Sequence, residues 1–434
     1  MAFDTIFALS SGRLPSGLAV VRVSGPRVRF VLETMFGRVP AGRRASLGSI
    51  GAHDGEIDRG LALFFPGPHS FTGEDCAEFH VHGGRAVVSY LLRTLGSLEG
   101  LRHAEPGEFS RQAFLNAKFD LTGVEALVDL IAAETETQRQ LALANAHGAQ
   151  AELYGSWRRR LMRVRAMLEA ELDFSDEGDV PAAVGSAGFA DVNALSQEIS
   201  DHVTGFRRAE IIRDGVRVVI LGAPNAGKSS LLNSLASRDV AIVSEEPGTT
   251  RDLIEVALDL GGVKVILTDT AGIREGAGKV ESMGIERAIE RARKADLVLM
   301  LEDLADPRET LIGPIAAPLL TIGTKADLPV ISMNAHDQTV STEAGLGVAE
   351  LLNRLSDFAA KAVEGGSDVM PSRLRHLEHL RSCAEHLGGA MAASQLELRA
   401  EHLRRASDSL GYITGAIGVE HLLDVIFSEF CVGK

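Results

Sequence analysis

Cysteine is scarce in this 434-residue chain: Cys76, Cys383 and Cys431 stand far apart and are odd in number. No disulfide framework and no zinc-binding spacing can be built from them, and a reducing cytosol is the expected setting. Excess positive charge is also missing. The formal net charge is −15, which argues against a protein that coats nucleic acid by charge alone, though a local basic face or a basic partner stays open. No apolar run approaches the roughly 18 residues that a membrane span needs, so no membrane association is expected. The stretch from Met1 to Gly25 has an acid at Asp4 and no basic leader, and does not read as a secretory signal. Cys431 stands fourth from the end as in a prenylation box, but Gly433 and Lys434 fit that box badly.

What is present is ordinary for globular protein, with 45% hydrophobic and 24% charged residues. The length exceeds what one core usually supports, so roughly two to four domains are expected. To about residue 117 the chain is mixed: β-like runs at Leu18 to Val23 and Leu61 to Phe65 lie between Gly- and Pro-rich turns. From Leu121 to Leu172 these punctuators thin out. Leu153, Trp157, Leu161, Val164, Leu168 and Leu172 recur at spacings of three and four, the apolar face of a long helix. Acids, Gly and Pro break the pattern between Asp173 and Pro181. A strand-like run at Val216 to Leu221 then opens an alternation of apolar runs (263–268, 297–301, 318–322) with helical segments, which predicts a mostly parallel sheet covered on both faces. Gly365 to Ser367 reads as a linker, after which Leu374, Leu377, Leu380 and Leu387 restart a helical period. A nucleotide-binding domain inserted between two helical stretches is the expected arrangement.

The run Gly222 to Ser229 fits G-x-x-x-x-G-K-[ST], with an apolar strand before it and a helical segment from Ser230 after it. Main-chain N–H groups of Asn225, Ala226 and Gly227 can wrap phosphates, Lys228 supplies charge to the β/γ-phosphates, and the Ser229 hydroxyl can ligate Mg²⁺. Downstream, Asp269, Thr270, Ala271 and Gly272 follow a strand: Asp269 can reach the magnesium shell and the Gly272 N–H can sense a γ-phosphate. Gly248, Thr249 and Thr250 lie between these motifs, and Thr250 offers a second magnesium ligand. At Thr324, Lys325, Ala326 and Asp327, the carboxylate can accept hydrogen bonds from guanine N1–H and the N2 amine, which adenine cannot offer. GTP is therefore favoured over ATP. Thr324 stands where such motifs usually have Asn, and Ser341-Thr342 where Ser-Ala is usual. Ile273 occupies the position of a water-orienting Gln, so another residue must act or hydrolysis is slow.

Taken with Val21 to Gly25, Phe64 to Pro68, Ser70 to Asp75, His82 to Gly84, Pro106 to Phe109, Phe114 to Asn116, Lys118 and the terminal Phe430 to Lys434, the chain resembles the bacterial tRNA modification GTPase family MnmE (TrmE) along essentially all its length. The resemblance implies a potassium site at Asn225, Ser244, Glu246 and Thr249, where K⁺ takes the place of an arginine finger. It makes Glu281 the general base acting through water; on the residues alone Glu281 reads first as a solvated acid on a flexible switch. It implies tetrahydrofolate binding, as a 5-formyl or methylene derivative, by Arg22, Glu78, Lys118 and Lys434. It also implies a homodimer paired through N-terminal domains, and a flavin-dependent partner, MnmG, in a heterotetramer. The implied reaction installs an aminomethyl-type group on carbon 5 of the wobble uridine of certain tRNAs in the cytoplasm.

The expected fold is multidomain α/β and α. An N-terminal α+β folate-binding-like domain spans 1–117. Helical-domain segments span 118–211 and 363–434. A Ras-like P-loop GTPase domain with a doubly wound sheet is inserted at 212–362. Smaller readings stay open. His80 and His82 are structural or lie near a pterin, since zinc would need more ligands nearby. Cys431 is a reactive thiol or a packing residue. The basic run around Arg158, Arg159, Arg160, Arg163 and Arg165 contacts RNA or a partner, or is a solvated helical face. The competing functions are a ribosome-assembly GTPase of the Era or Der type and a self-sufficient folate-dependent transferase in which GTP only regulates.

Overall fold

The computed structural model describes residues 4–52, 55–173, 183–238, 240–242, 255–269, 290–308, 315–365, 369–418, 423, 426, 427 and 433. Several expected features lie outside these residues: Ser244, Glu246, Gly248, Thr249, Thr250, Thr270, Ala271, Gly272, Ile273, Glu281, Cys431 and Lys434, the break after Asp173 and most of the linker. The chain divides into two units. One comprises 1–128, 145–195 and 382–434, the other 129–144 and 196–381.

The first unit contains a six-stranded sheet ordered β3-β4-β5-β2-β1-β6. Its strands are β1 (Thr5–Leu9), β2 (Ser16–Ser24), β3 (Ser46–Ala52), β4 (Gly55–Phe65), β5 (Cys76–Gly83) and β6 (Leu101–His103). Only β1–β6 is parallel. Side chains alternate across the sheet. Ala19, Val21 and Val23 of β2, with Ala77, Phe79 and Val81 of β5, face the helices Val28–Phe36 and Arg85–Gly96 in a closed apolar core. The intervening residues, Arg22 and Ser24 on β2 and Cys76, Glu78 and His80 on β5, occupy the opposite face.

The long helix expected from the leucine period is Ala149–Asp173. Trp157, Leu161, Val164 and Leu168 are buried on one side of it, against the helix Leu396–Thr414. It does not extend back to Leu121. The helices Leu121–Ala132 and Glu136–Ala146 precede it, and Gly148, at φ 87°, makes a left-handed turn that other residues adopt rarely. Arg159, Arg160 and Arg165 on this helix are paired with Glu152, Asp191 and Glu169, so much of the basic run is neutralised within its own unit.

The second unit is built on a sheet ordered β12-β11-β10-β7-β9-β8. Its strands are β7 (Val216–Gly222), β8 (Glu255–Leu260), β9 (Val263–Asp269), β10 (Leu297–Asp303), β11 (Leu319–Thr324) and β12 (Gln338–Thr339). All neighbours are parallel except β8–β9. Val218 and Ile220 of β7 pack with Leu231, Leu232 and Leu235 of the helix Lys228–Ala236 and with Leu351 and Leu355 of the helix Val348–Val363. Val219 and Leu221 point the other way, towards Ala292 in the helical segment 290–294. Both faces are therefore covered, which accounts for the continuous apolar runs of the central strands.

A candidate nucleotide site and a second polar face

The carboxyl ends of β7, β9, β10 and β11 lie side by side, the crevice where open parallel sheets bind ligands. From β7 the chain turns at Gly222 (φ 155°), where an added Cβ would stand 2.6 Å from the Leu301 carbonyl oxygen. Asn225 takes a left-handed conformation (φ 65°), and Gly227 (φ 85°) caps the helix Lys228–Ala236. The first N–H groups of this helix have no intrahelical acceptor, so with the helix dipole they form an anion-binding cradle.

Lys228 is buried, and its ammonium donates to the carbonyls of Gly222 at 2.9 Å and Ala223 at 2.8 Å. Burial pushes its pKa below the usual lysine range, with Asp269 acting in the opposite sense. The exposed Ser229 places its hydroxyl 2.6 Å from Oδ2 of Asp269, a fully buried residue at the end of β9. A hydroxyl oxygen and a carboxylate held together beside an anion cradle are a donor set that suits Mg²⁺. Ser230 lies exposed on the same first turn.

At the end of β11 the Thr324 hydroxyl faces two main-chain acceptors: Ala226 O in the phosphate loop at 2.9 Å and Glu302 O at 3.1 Å. Lys325, left-handed at φ 57°, is paired with Asp303 at 2.6 Å. Burial opposes ionisation of Asp303, but Lys325 and the N–H groups of Ala305 and Asp306 outweigh it and hold the carboxyl below its usual range. Asp327 is exposed. The Ala326 N–H reaches the Val340 carbonyl, tying this loop to Ser341, which is buried and accepts from the Ala344 N–H at 3.1 Å. Asn225, Ala226, Gly227, Lys228, Ser229, Ser230, Asp269, Thr324, Lys325, Asp327 and Ser341 thus belong to neighbouring loops at one edge of the sheet. The bond from Thr324 to Ala226 joins residues 98 positions apart, and no local sequence signal announces it.

On the outward face of the first sheet, Arg22 and Glu78 stand opposite each other in the β2–β5 register. Arg22 donates to Oε1 of Glu78 from Nε (3.1 Å) and Nη2 (2.9 Å), while Oε2 lies 3.2 Å from His80 Nε2. The Arg22 guanidinium lies over Phe71 at 5.1 Å and Phe109 at 5.8 Å, rings within the motifs Ser70 to Asp75 and Pro106 to Phe109 whose contact with Arg22 no spacing foretells. A carboxylate with fixed orientation, a cation and aromatic faces form a combination suited to a flat polar heterocycle. His82 bonds Asp58, so His80 and His82 have separate acidic partners, and no group of three or more metal-ligating side chains is present among the described residues. Lys118 is exposed and donates to the Pro68 carbonyl at 2.6 Å. The chain terminus also returns to this unit. Gly433 (φ 102°) is buried, and its carbonyl accepts from Ser10 Oγ at 2.8 Å, just beyond β1.

Residues 5–118 match the family described as the GTP-binding protein TrmE N-terminus, and residues 121–431 match the MnmE helical domain. The tRNA modification GTPase MnmE of Mesorhizobium japonicum is 57% identical over 441 residues, spanning 99% of this chain and 99% of that protein. The chain belongs to the MnmE family of tRNA modification GTPases. The MnmE of Brucella anthropi is likewise 57% identical, over 99% of this chain and 98% of its own. A solved structure of an Era variant from Aquifex aeolicus bound to GDP and AlF₄⁻ covers 41% of this chain and 68% of its own, at 24% identity and a TM-score of 0.26. Among the described residues, no helix is long and apolar enough to cross a membrane.

Proposed function

We propose that this MnmE-family chain hydrolyses GTP while acting with a flavin-dependent partner of the MnmG kind on tRNA. The product is an aminomethyl-type group on carbon 5 of the wobble uridine of certain tRNAs. The one-carbon unit comes from a tetrahydrofolate derivative held on the Arg22–Glu78 face. The observation that carries this reading is the presence in one chain of two built polar sites. One is a phosphate cradle with Ser229 bonded to buried Asp269; the other is a carboxylate–arginine pair whose guanidinium lies over aromatic rings, in a segment of TrmE type.

In the nucleotide site the N–H groups around Gly227 bind phosphate oxygens, and the Lys228 ammonium exchanges its carbonyl partners for the β/γ-phosphates. Asp327 accepts from the guanine N1–H and N2 amine. Ser229 and Asp269 would hold Mg²⁺, with Thr250 contributing from beyond the described residues; bound there, the ion offsets charge on the phosphates. Asn225, together with Ser244, Glu246 and Thr249, is the proposed holder of K⁺. Glu281 would take a proton from the attacking water through a second water, since Ile273 has no polar atom to do so. Gly272, with Thr270 and Ala271, makes the following loop responsive to the γ-phosphate. Lys118 and Lys434 would engage the folate tail, and the first unit would pair two copies into a homodimer.

Reconstitution tests the reading. Purified chain, the flavoprotein, tRNA, GTP and 5,10-methylenetetrahydrofolate should yield modified uridine, with turnover of GTP faster in KCl than in NaCl at equal ionic strength. Modification without any flavoprotein would favour a self-sufficient transferase instead, and equal rates in the two salts would remove the potassium assignment.

A further inference from the structure

Thr324 occupies the first position of the guanine-reading loop. It is 4% exposed, and its side chain lies 3.6 Å from where a Cβ on Gly227 would stand. A hydroxyl has one hydrogen to give, whereas a primary amide has two as well as an accepting oxygen. The single hydrogen of Thr324 already has two main-chain carbonyls to serve, Ala226 in the phosphate loop at 2.9 Å and Glu302 on β10 at 3.1 Å. An asparagine here could hold the loop carbonyl and still donate to guanine N7; threonine cannot do both. Three main-chain donors of the neighbouring loops are also committed: the Ala326 N–H to Val340 O, the Ser341 N–H to Leu346 O and the Ala344 N–H to Ser341 Oγ.

We propose that Thr324 is a positioning residue that ties the base-reading loop to the phosphate loop and leaves guanine N7 unread. The inference rests on reading this site as a GTP site and deepens it. N7 is an acceptor in both guanine and adenine. Giving up that contact therefore lowers affinity without blurring the choice of base, which falls to Asp327 at the N1/N2 edge. A purine with carbon in place of N7 should then be accepted almost as well as GTP itself.

The test is competition binding of GTP and 7-deaza-GTP to the intact protein and to Thr324→Asn, Thr324→Ser and Thr324→Val. The parent and Thr324→Ser should bind the two nucleotides within about twofold of each other, while Thr324→Asn should prefer GTP by about tenfold, the worth of one added hydrogen bond. Thr324→Val should weaken both nucleotides equally, because Ala226 O loses its donor. A parent protein that prefers GTP by about tenfold, a Thr324→Asn variant with no preference, or a Thr324→Val variant as tight as the parent would each overturn the proposal. Failure of the parent to bind GTP at all would instead overturn the GTP-site reading beneath it.

Discussion

Ser229 Oγ lies 2.6 Å from Oδ2 of Asp269, although the two residues are 40 positions apart in the chain. The contact joins the start of the helix after the phosphate loop to the end of β9, and in the proposed reading these two side chains would hold Mg²⁺. Ser229→Ala removes the hydroxyl but leaves the buried carboxylate. Titration of GTP with and without Mg²⁺ should show affinity enhanced by the ion in the parent protein and little enhancement in the variant. Turnover should fall by at least about tenfold, which corresponds to roughly 1.4 kcal/mol in the barrier. An unchanged magnesium effect would separate Ser229 from the metal.

The Arg22–Glu78 pair gives a second expectation. Glu78→Gln keeps the size of the side chain but removes the charge that holds Arg22. Calorimetry with 5-formyltetrahydrofolate should show affinity reduced by about tenfold or more, as charge-assisted hydrogen bonds contribute roughly 1.5–3 kcal/mol. Both side chains are part exposed, at 22% and 16%, so the melting temperature should move by only a few degrees. Equal binding heats in parent and variant would detach this face from the folate.

A pH dependence follows from His202. Burial, reinforced by His376, pushes its pKa down from 6.5 to about 4. Above pH 6.5 the imidazole is neutral both folded and unfolded, and its contribution to stability is complete. Between pH 6.5 and 4 the unfolded chain takes up a proton that the folded chain refuses, so stability falls as pH falls, by at most about 3 kcal/mol. Urea unfolding at pH 7 and pH 4.5 should show a smaller acid loss in His202→Gln than in the parent. Identical losses would remove His202 from the acid response.

The mostly parallel, two-faced character of the second sheet and its glycine-rich turn are legible because local chemistry dictates them. Val216 to Leu221 is apolar on both faces, as a central parallel strand must be, and Gly222 and Gly227 adopt backbone angles that few other residues reach. Strands of the first sheet such as β1 and β5 were missed. They are short or carry His80, His82 and Glu78 among apolar residues, so their alternation reflects a polar outer face visible only once β2 is paired with β5. Helix ends were less legible than helix faces: the leucine period located Ala149–Asp173, but the turns that separate it from Leu121 depend on local backbone at Gly148. Contacts between distant positions, such as Arg22 over Phe109 or Thr324 to Ala226, leave no periodic trace at all.

The most direct test of the account is nucleoside mass spectrometry of tRNA from cells with and without this gene, and with a Lys228→Ala copy. Loss of aminomethyl-type wobble uridines without the gene, restored by the parent copy and not by Lys228→Ala, is the predicted result. An unchanged nucleoside profile in cells with no redundant enzyme would contradict it and bring forward a ribosome-assembly role.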